Sequence, residues 1–229
     1  MLRKILLVCG ILAAVLFVAS DILAAVSFEG YSYTSQSISE LRALGAPTRP
    51  MLVRILSVYA LLEIGFGCGV WMSAGSKRSL RITGALIVAL GLLDLSAYFF
   101  PMHLREEIST SGRSPNEVFH MAGTAVTVLL FFAIIGFGAG ASGRWFRTYS
   151  YLTILVLLSF GLWASMGVPQ LEAGLPTPWM GLKERTNAYA YMLWMAMLAI
   201  VLLRTQFAAT AVGSLPDIGA GQPRPLTHS

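Results

Sequence analysis

The stretch ILLVCGILAAVLFVASDILAAV, Ile5 to Val26, carries one charged side chain, Asp21, and no proline. As a helix rising about 1.5 Å per residue it is long enough to cross roughly 30 Å of hydrocarbon. Comparable runs recur at approximately 51–74, 82–100, 117–140, 150–168 and 187–204. Across its 229 residues the chain is 56% hydrophobic and 12% charged, with a mean hydropathy of +0.70, whereas soluble domains carry about 25% charged residues. A soluble core of this length has too little interior for so much apolar surface. The fold class is therefore all-α, a polytopic bundle of six transmembrane helices within residues 1–204. The tail, 205–229, is rich in Gly, Pro and small polar residues and is expected to be disordered.

A cleavable signal peptide is the rival account of the first run, because Met1–Lys4 is basic and Val18-Ala19-Ser20 has the small residues of a cleavage site. The apolar run continues past Ser20 to Val26, which favours a retained span.

The connections alternate in length, so the spans form three hairpins with long loops at one end. Arg3, Lys4, Lys77, Arg78, Arg81, Arg144, Arg147 and Arg204 lie at the other end with no acid among them, while the long loops mix six basic residues with seven acids, counting Glu117 at the very start of the fourth span. By the positive-inside rule both termini are cytoplasmic and the long loops lie outside. Scattered basic residues without a basic face argue against nucleic acid as a partner. Cys9 and Cys68 lie in apolar runs without a paired-cysteine motif and read as reduced thiols.

Two loop segments carry the Ser-x-x-Glu spacing of a capping box, Ser37 to Glu40 and Ser114 to Glu117. Pro115, at the first helical position, strengthens the second. The first should open a short interfacial helix through Leu44, stopped by Gly45 and Pro47. In the last long loop Pro169, Pro176 and Pro178 oppose regular helix, and Trp179 is placed at headgroup depth. Gly65, Gly67 and Gly69, with Gly136, Gly138 and Gly140, include GxxxG spacings that allow close helix packing and would also permit a homodimer.

An ionisable side chain within a span is costly and so suggests function. Three acids lie well inside a span: Asp21 and Asp94 in the outer halves of their spans, and Glu63 near mid-depth. Tyr59 lies one helical turn from Glu63, and Tyr98 one turn from Asp94, where each hydroxyl could meet its acid. His120, with Thr124 and Thr127 on its face, opens the fourth span, and His103 closes the third. Each group also has a structural reading. Asp21 would snorkel or pair with an outer-loop arginine, Asp94 would bond Ser96 or Tyr98, and Glu63 and His120 would serve as hydrogen-bonding glue. No metal site is expected, since His103, His120 and an aspartate have no supporting motif. Nor is a cofactor expected, for want of a phosphate or dinucleotide fingerprint.

These residues carry a resemblance. Tyr33 to Leu41 (YTSQSISEL), Gly45 to Arg49 (GAPTR), Phe100 to His103 (FPMH), His120, and Gly181 to Arg185 (GLKER) resemble, in order, the bacterial and archaeal domain-of-unknown-function 998 family, DUF998. Members often have Gly after the Ser-Glu-Leu element, where this chain has Arg42. The resemblance implies a compact multi-span protein of a prokaryotic plasma membrane with its motif residues clustered outside. It implies no reaction.

The favoured functional expectation is binding or modification of a lipid or other apolar small molecule from the outer leaflet. Glu63, Asp94 and His120 would be the catalytic groups. Asp21, Ser39, Glu40, Tyr59, Tyr98, His103, Glu184 and Arg185 would be ligand-binding, with Arg185 pairing an anionic headgroup. The alternatives are a proton-coupled transporter working through Glu63, and a structural or assembly partner acting through its outer loops.

Overall fold

The computed structural model describes residues 1–111 and 114–213, with side chains for residues 1–110 and 114–205. Its helices are α1 (Leu2–Ser27), α2 (Arg49–Ser73), α3 (Arg78–Ser96), a short α4 (Arg105–Ser111), α5 (Pro115–Gly138), α6 (Arg144–Ser165), a short α7 (Val168–Glu172) and α8 (Met180–Gly213). Six of these, with α3, α5 and α6 extended by short 3₁₀ or helical turns, are long and apolar enough to cross a membrane. Among the described residues there is no strand, only a single bridge between Leu44 and His103. Of the tail expected to be disordered, residues 205–213 instead continue α8 as helix, and the remainder lies outside the described residues.

The long helices form a ring in chain order: α1 packs on α2, α2 on α3, α3 on α5, α5 on α6, α6 on α8, and α8 closes on α1. The thinnest of these seams is α5 to α6. The ring has a short-loop end, where Ala74–Lys77 and Ser142–Gly143 connect helices, and a long-loop end. Inside it Leu7, Phe66, Val70, Ile87, Leu90, Ile134, Phe146, Tyr191, Trp194 and Leu198 pack in one core. Trp194 Nε1 also donates to Ser150 Oγ at 2.9 Å, which satisfies the buried indole.

Glycines set the tightest approach. A Cβ on Gly84 of α3 would lie 2.7 Å from both Gly67 O and Trp71 N, and one on Gly67 would lie 2.8 Å from Gly84 O. These are backbone atoms, so even a methyl group would push α2 and α3 apart. Gly69 meets α1, Gly138 meets Trp194, and Gly136 has open space. The small residues of α2 thus serve packing within the chain. Gly84→Ala is expected to lower stability by about 1–3 kcal/mol, the usual cost of overpacking, as read from denaturation in detergent. Unchanged unfolding would mean that the two helices have slack.

Several boundaries differ from expectation. The 38–44 segment is a tighter 3₁₀ turn, Ile38–Arg42, and Gly45 then turns the chain at φ +85°. A short helix begins at Val168 in spite of Pro169, because Pro stands in the first turn where its missing N–H has no partner to lose. The last helix starts at Met180, earlier than the expected 187, immediately after Trp179, which is exposed and held at φ 65°. A small second core covers the long-loop end, where Ala43, Ala46, Met102, Ile108 and Leu171 come together.

Candidate functional site

Both capping boxes form. Glu40 accepts from the Ser37 amide at 2.8 Å and also receives both arms of Arg105, from Nε and Nη2, each at 2.7 Å. Gln36 adds a third side-chain donor at 3.0 Å. Burial pushes the Glu40 carboxyl up, but the hydrogen bonds from Arg105, Gln36 and Ser37 outweigh it and hold the group below the usual glutamate value. Glu117 accepts from the Ser114 amide at 2.7 Å and the His103 amide at 2.9 Å, and its carboxylate also meets the Ser114 hydroxyl and the His103 ring Nδ1. His103 therefore joins the segment after α3 to the start of α5. Glu184 accepts from the Ile38 amide at 2.7 Å. Ser39 is half-buried and its side chain makes no hydrogen bond to a described residue.

Asp21 and Arg185 meet across the seam that closes the ring. Arg185 Nε and Nη2 donate to the two Asp21 oxygens at 2.9 and 3.0 Å, and both residues are nearly inaccessible. Its other donors reach Tyr33 O at 2.7 Å, Gln36 O at 3.2 Å and the Tyr31 hydroxyl at 2.7 Å. The ring of Tyr33 lies under the guanidinium, 3.8 Å from its carbon. The Tyr189 hydroxyl donates to Asp21 at 2.5 Å. A guanidinium has five N–H donors, and here every one has an acceptor within the chain. A headgroup could engage Arg185 only by displacing one of them, so the geometry makes it the anchor of the first long loop.

A separate polar column runs down from the long-loop end between α2, α3 and α5. Its mouth is a crevice of about 10 Å³, lined by Arg42, Arg49, Tyr98, Met102 and His120 among others, roughly the room of one water molecule. Arg42 is half-buried and its side chain makes no hydrogen bond or ion pair to a described residue. Asp94, Tyr98, His120 and Glu184 all lie within its electrostatic reach. Deeper in, Asp94 stands beside Glu63, as do Tyr59 and Tyr191. The Tyr59 hydroxyl donates to Glu63 Oε1 at 3.2 Å. Glu63 Oε2 and the Tyr191 hydroxyl are buried with no hydrogen-bond partner among the described residues. Glu63 lies fourteen residues into α2, about 21 Å from its start. Beyond it toward the short-loop end, Phe66, Val70, Ile87 and Trp194 close the bundle.

The sequence-predicted residues thus divide. Glu63, Asp94, His120, Tyr59 and Tyr98 belong to the column, whereas Asp21, Glu40, His103, Glu184 and Arg185 are engaged in ties among loops and helix ends. Of the two partners expected for Asp94, neither is found. Ser96 donates to Leu93 O instead. Tyr98 lies toward Ser57, because the chain tightens to 3₁₀ at Ala97–Phe99 and a fourth residue onward no longer shares the face it would have on an α-helix. Thr124 is exposed and donates to His120 O at 3.0 Å, so it stabilises its own helix. Arg42 and Tyr191 escaped the sequence reading. The departure at Arg42 from the Gly common in DUF998 was the available signal for the first, and none marked the second. Among the described residues, no three His, Cys, Asp or Glu side chains gather as a metal-ligand set.

Six apolar spans around a core and a buried acidic cluster define a multi-pass membrane protein. A family model described as a protein of unknown function, DUF998, matches residues 11–201, and the chain belongs to that family. No curated protein and no solved structure matches it.

Proposed function

We propose that the crevice at the long-loop end receives the anionic or polar head of a membrane-soluble molecule, a lipid or lipid-like compound, and that Asp94 and His120 exchange a proton with it. One observation carries this reading: Arg42 faces the crevice with no carboxylate of the described residues in ion-pair contact, whereas Arg105 and Arg185 are each held by one. Phe99, Phe100 and Phe119 are exposed beside the mouth, and the rings of Phe100 and Phe119 touch, with centroids 5.0 Å apart. With room for about one water, the crevice would admit a head only as the Arg42 and Tyr98 side chains swing aside, with the apolar remainder lying along these aromatics in the bilayer. Glu63, with Tyr59 and Tyr191 behind Asp94, would take up or return the proton, as general acid–base groups do. On this reading the protein lies in a prokaryotic plasma membrane with its long loops outside.

Mass spectrometry of the protein purified in mild detergent should find such a molecule retained, and Arg42→Gln should reduce its occupancy at least tenfold. Asp94→Asn should leave it bound and unaltered. Full occupancy in a folded Arg42→Gln variant would sink the proposal. The transporter alternative needs a path past Phe66 and Trp194. It predicts pH-dependent flux in proteoliposomes that Glu63→Gln abolishes.

A further inference from the structure

At the opposite end of the bundle a groove of about 570 Å³ opens sideways between the end of α2 and the start of α3. That is within the size range of small-molecule sites. It is lined by Trp71, Ser76, Arg78, Arg81, Ile82, Ala85 and Leu86. Its polar residues stand at the helix ends. The apolar ones continue along the membrane-facing side of α3, where Ile82, Ala85 and Leu86 share a face at helical spacing.

The charge is concentrated, and neither Arg78 nor Arg81 makes an ion pair with a described residue. Arg81 is steadied by donating from Nη2 to Gly75 O at 2.6 Å, in a turn where Gly75 takes φ +53°. Arg78 is exposed and its side chain makes no hydrogen bond to a described residue. Lys77, by contrast, donates to Ala141 O at 3.3 Å on the neighbouring hairpin. Lys77 precedes α3 without capping it by a side-chain hydrogen bond, and while the Leu80 and Arg81 amides bond Lys77 O, those of Arg78 and Ser79 have no acceptor among the described residues. Unpaired amides at a helix start favour an anion, and arginine is suited to two-pronged contact with a phosphate.

We infer that this groove holds one anionic phospholipid of the leaflet at the short-loop end, its phosphodiester between Arg78, Arg81 and the start of α3. Its acyl chain follows Ile82, Ala85 and Leu86 past Trp71. The site is distinct from the crevice at Arg42, which lies at the other end of the bundle. A basic groove against apolar surface at headgroup depth is what an anionic lipid complements. A free phosphate would leave the apolar half of the groove without a partner.

The test uses the full chain in mild detergent, with dioleoyl phosphatidylglycerol and dioleoyl phosphatidylcholine at equal concentration, read by native mass spectrometry. One phosphatidylglycerol should be retained in preference to phosphatidylcholine. The double variant Arg78→Gln, Arg81→Gln should lower its occupancy at least tenfold, and Arg144→Gln, Arg147→Gln should not, although it removes equal charge from the same end. Ala85→Trp, which fills the apolar half and keeps both arginines, should also weaken retention and so guards against a folding defect in the arginine variant. Equal retention of the two lipids, equal loss in both arginine pairs, or full displacement by millimolar inorganic phosphate would each overturn the assignment.

Discussion

Arg185→Gln is expected to destabilise the protein by about 3–5 kcal/mol, the range seen when one partner of a buried ion pair is removed and the other is left uncompensated. Asp21 would then sit in the seam between α1 and α8 with only Tyr189 donating to its carboxylate. The Tyr33 carbonyl would lose its donor at the same time, and the Gln36 carbonyl would keep only the Tyr31 hydroxyl. The loss should appear both in unfolding in detergent and as faster hydrogen exchange across residues 31–37. Arg185→Lys keeps the charge but cannot fork between Asp21 and the loop carbonyls, so it should recover only part of the stability. Asp21→Asn combined with Arg185→Gln should cost less than the two single losses added together, because no lone charge is left. Additive losses, or an unchanged melting profile for Arg185→Gln, would show that the pair does not hold the seam.

The second large effect is expected at Glu40 and Arg105. Arg105→Ala leaves a carboxylate that is 1% exposed without its guanidinium. The expected cost is about 3 kcal/mol, the low end of the buried-pair range because Arg105 keeps some contact with solvent. The same tie should weaken in acid. The folded-state pKa of Glu40 lies below its ordinary value of 4.5, so its contribution is present above that pH and is lost as pH falls through the lower folded value. Hydrogen exchange of the Ser37 amide, which donates to Glu40, should therefore rise as pH falls below the ordinary glutamate value of 4.5, and in Arg105→Ala it should already be raised at pH 7. Protection that persists in Arg105→Ala at pH 7, and throughout acid titration of the unaltered chain, would show that the loop is held by its packing alone.

The spans were legible because membrane crossing imposes a length and a composition that few other structures meet. The capping boxes were legible because Ser-x-x-Glu is a local device whose partners lie three residues apart. The Tyr59 and Glu63 contact followed from helical spacing for the same reason. Long-range ties were not legible in this way. An outer-loop arginine was one of two readings for Asp21, but choosing Arg185 among the candidates requires knowing that α8 closes on α1. Nothing within either segment states that. Arg105 was similarly anonymous until α4 brought it over Glu40. The Tyr98 expectation failed where helical spacing itself changed, at the 3₁₀ turn that ends the third span.

The order of helices around the ring bears on how the protein is made. Each of the first five seams joins a helix to the next one emerging from the ribosome, so partners become available as soon as they are inserted. The sixth joins the first helix to the last, and its ion pair links residues 164 positions apart. During synthesis α1 must wait in the bilayer, with Asp21 lacking its guanidinium, until almost the whole chain has been delivered. Maturation is then governed by the arrival of one segment, and truncation before Met180 would leave five inserted helices with an open flank for quality-control proteases to find.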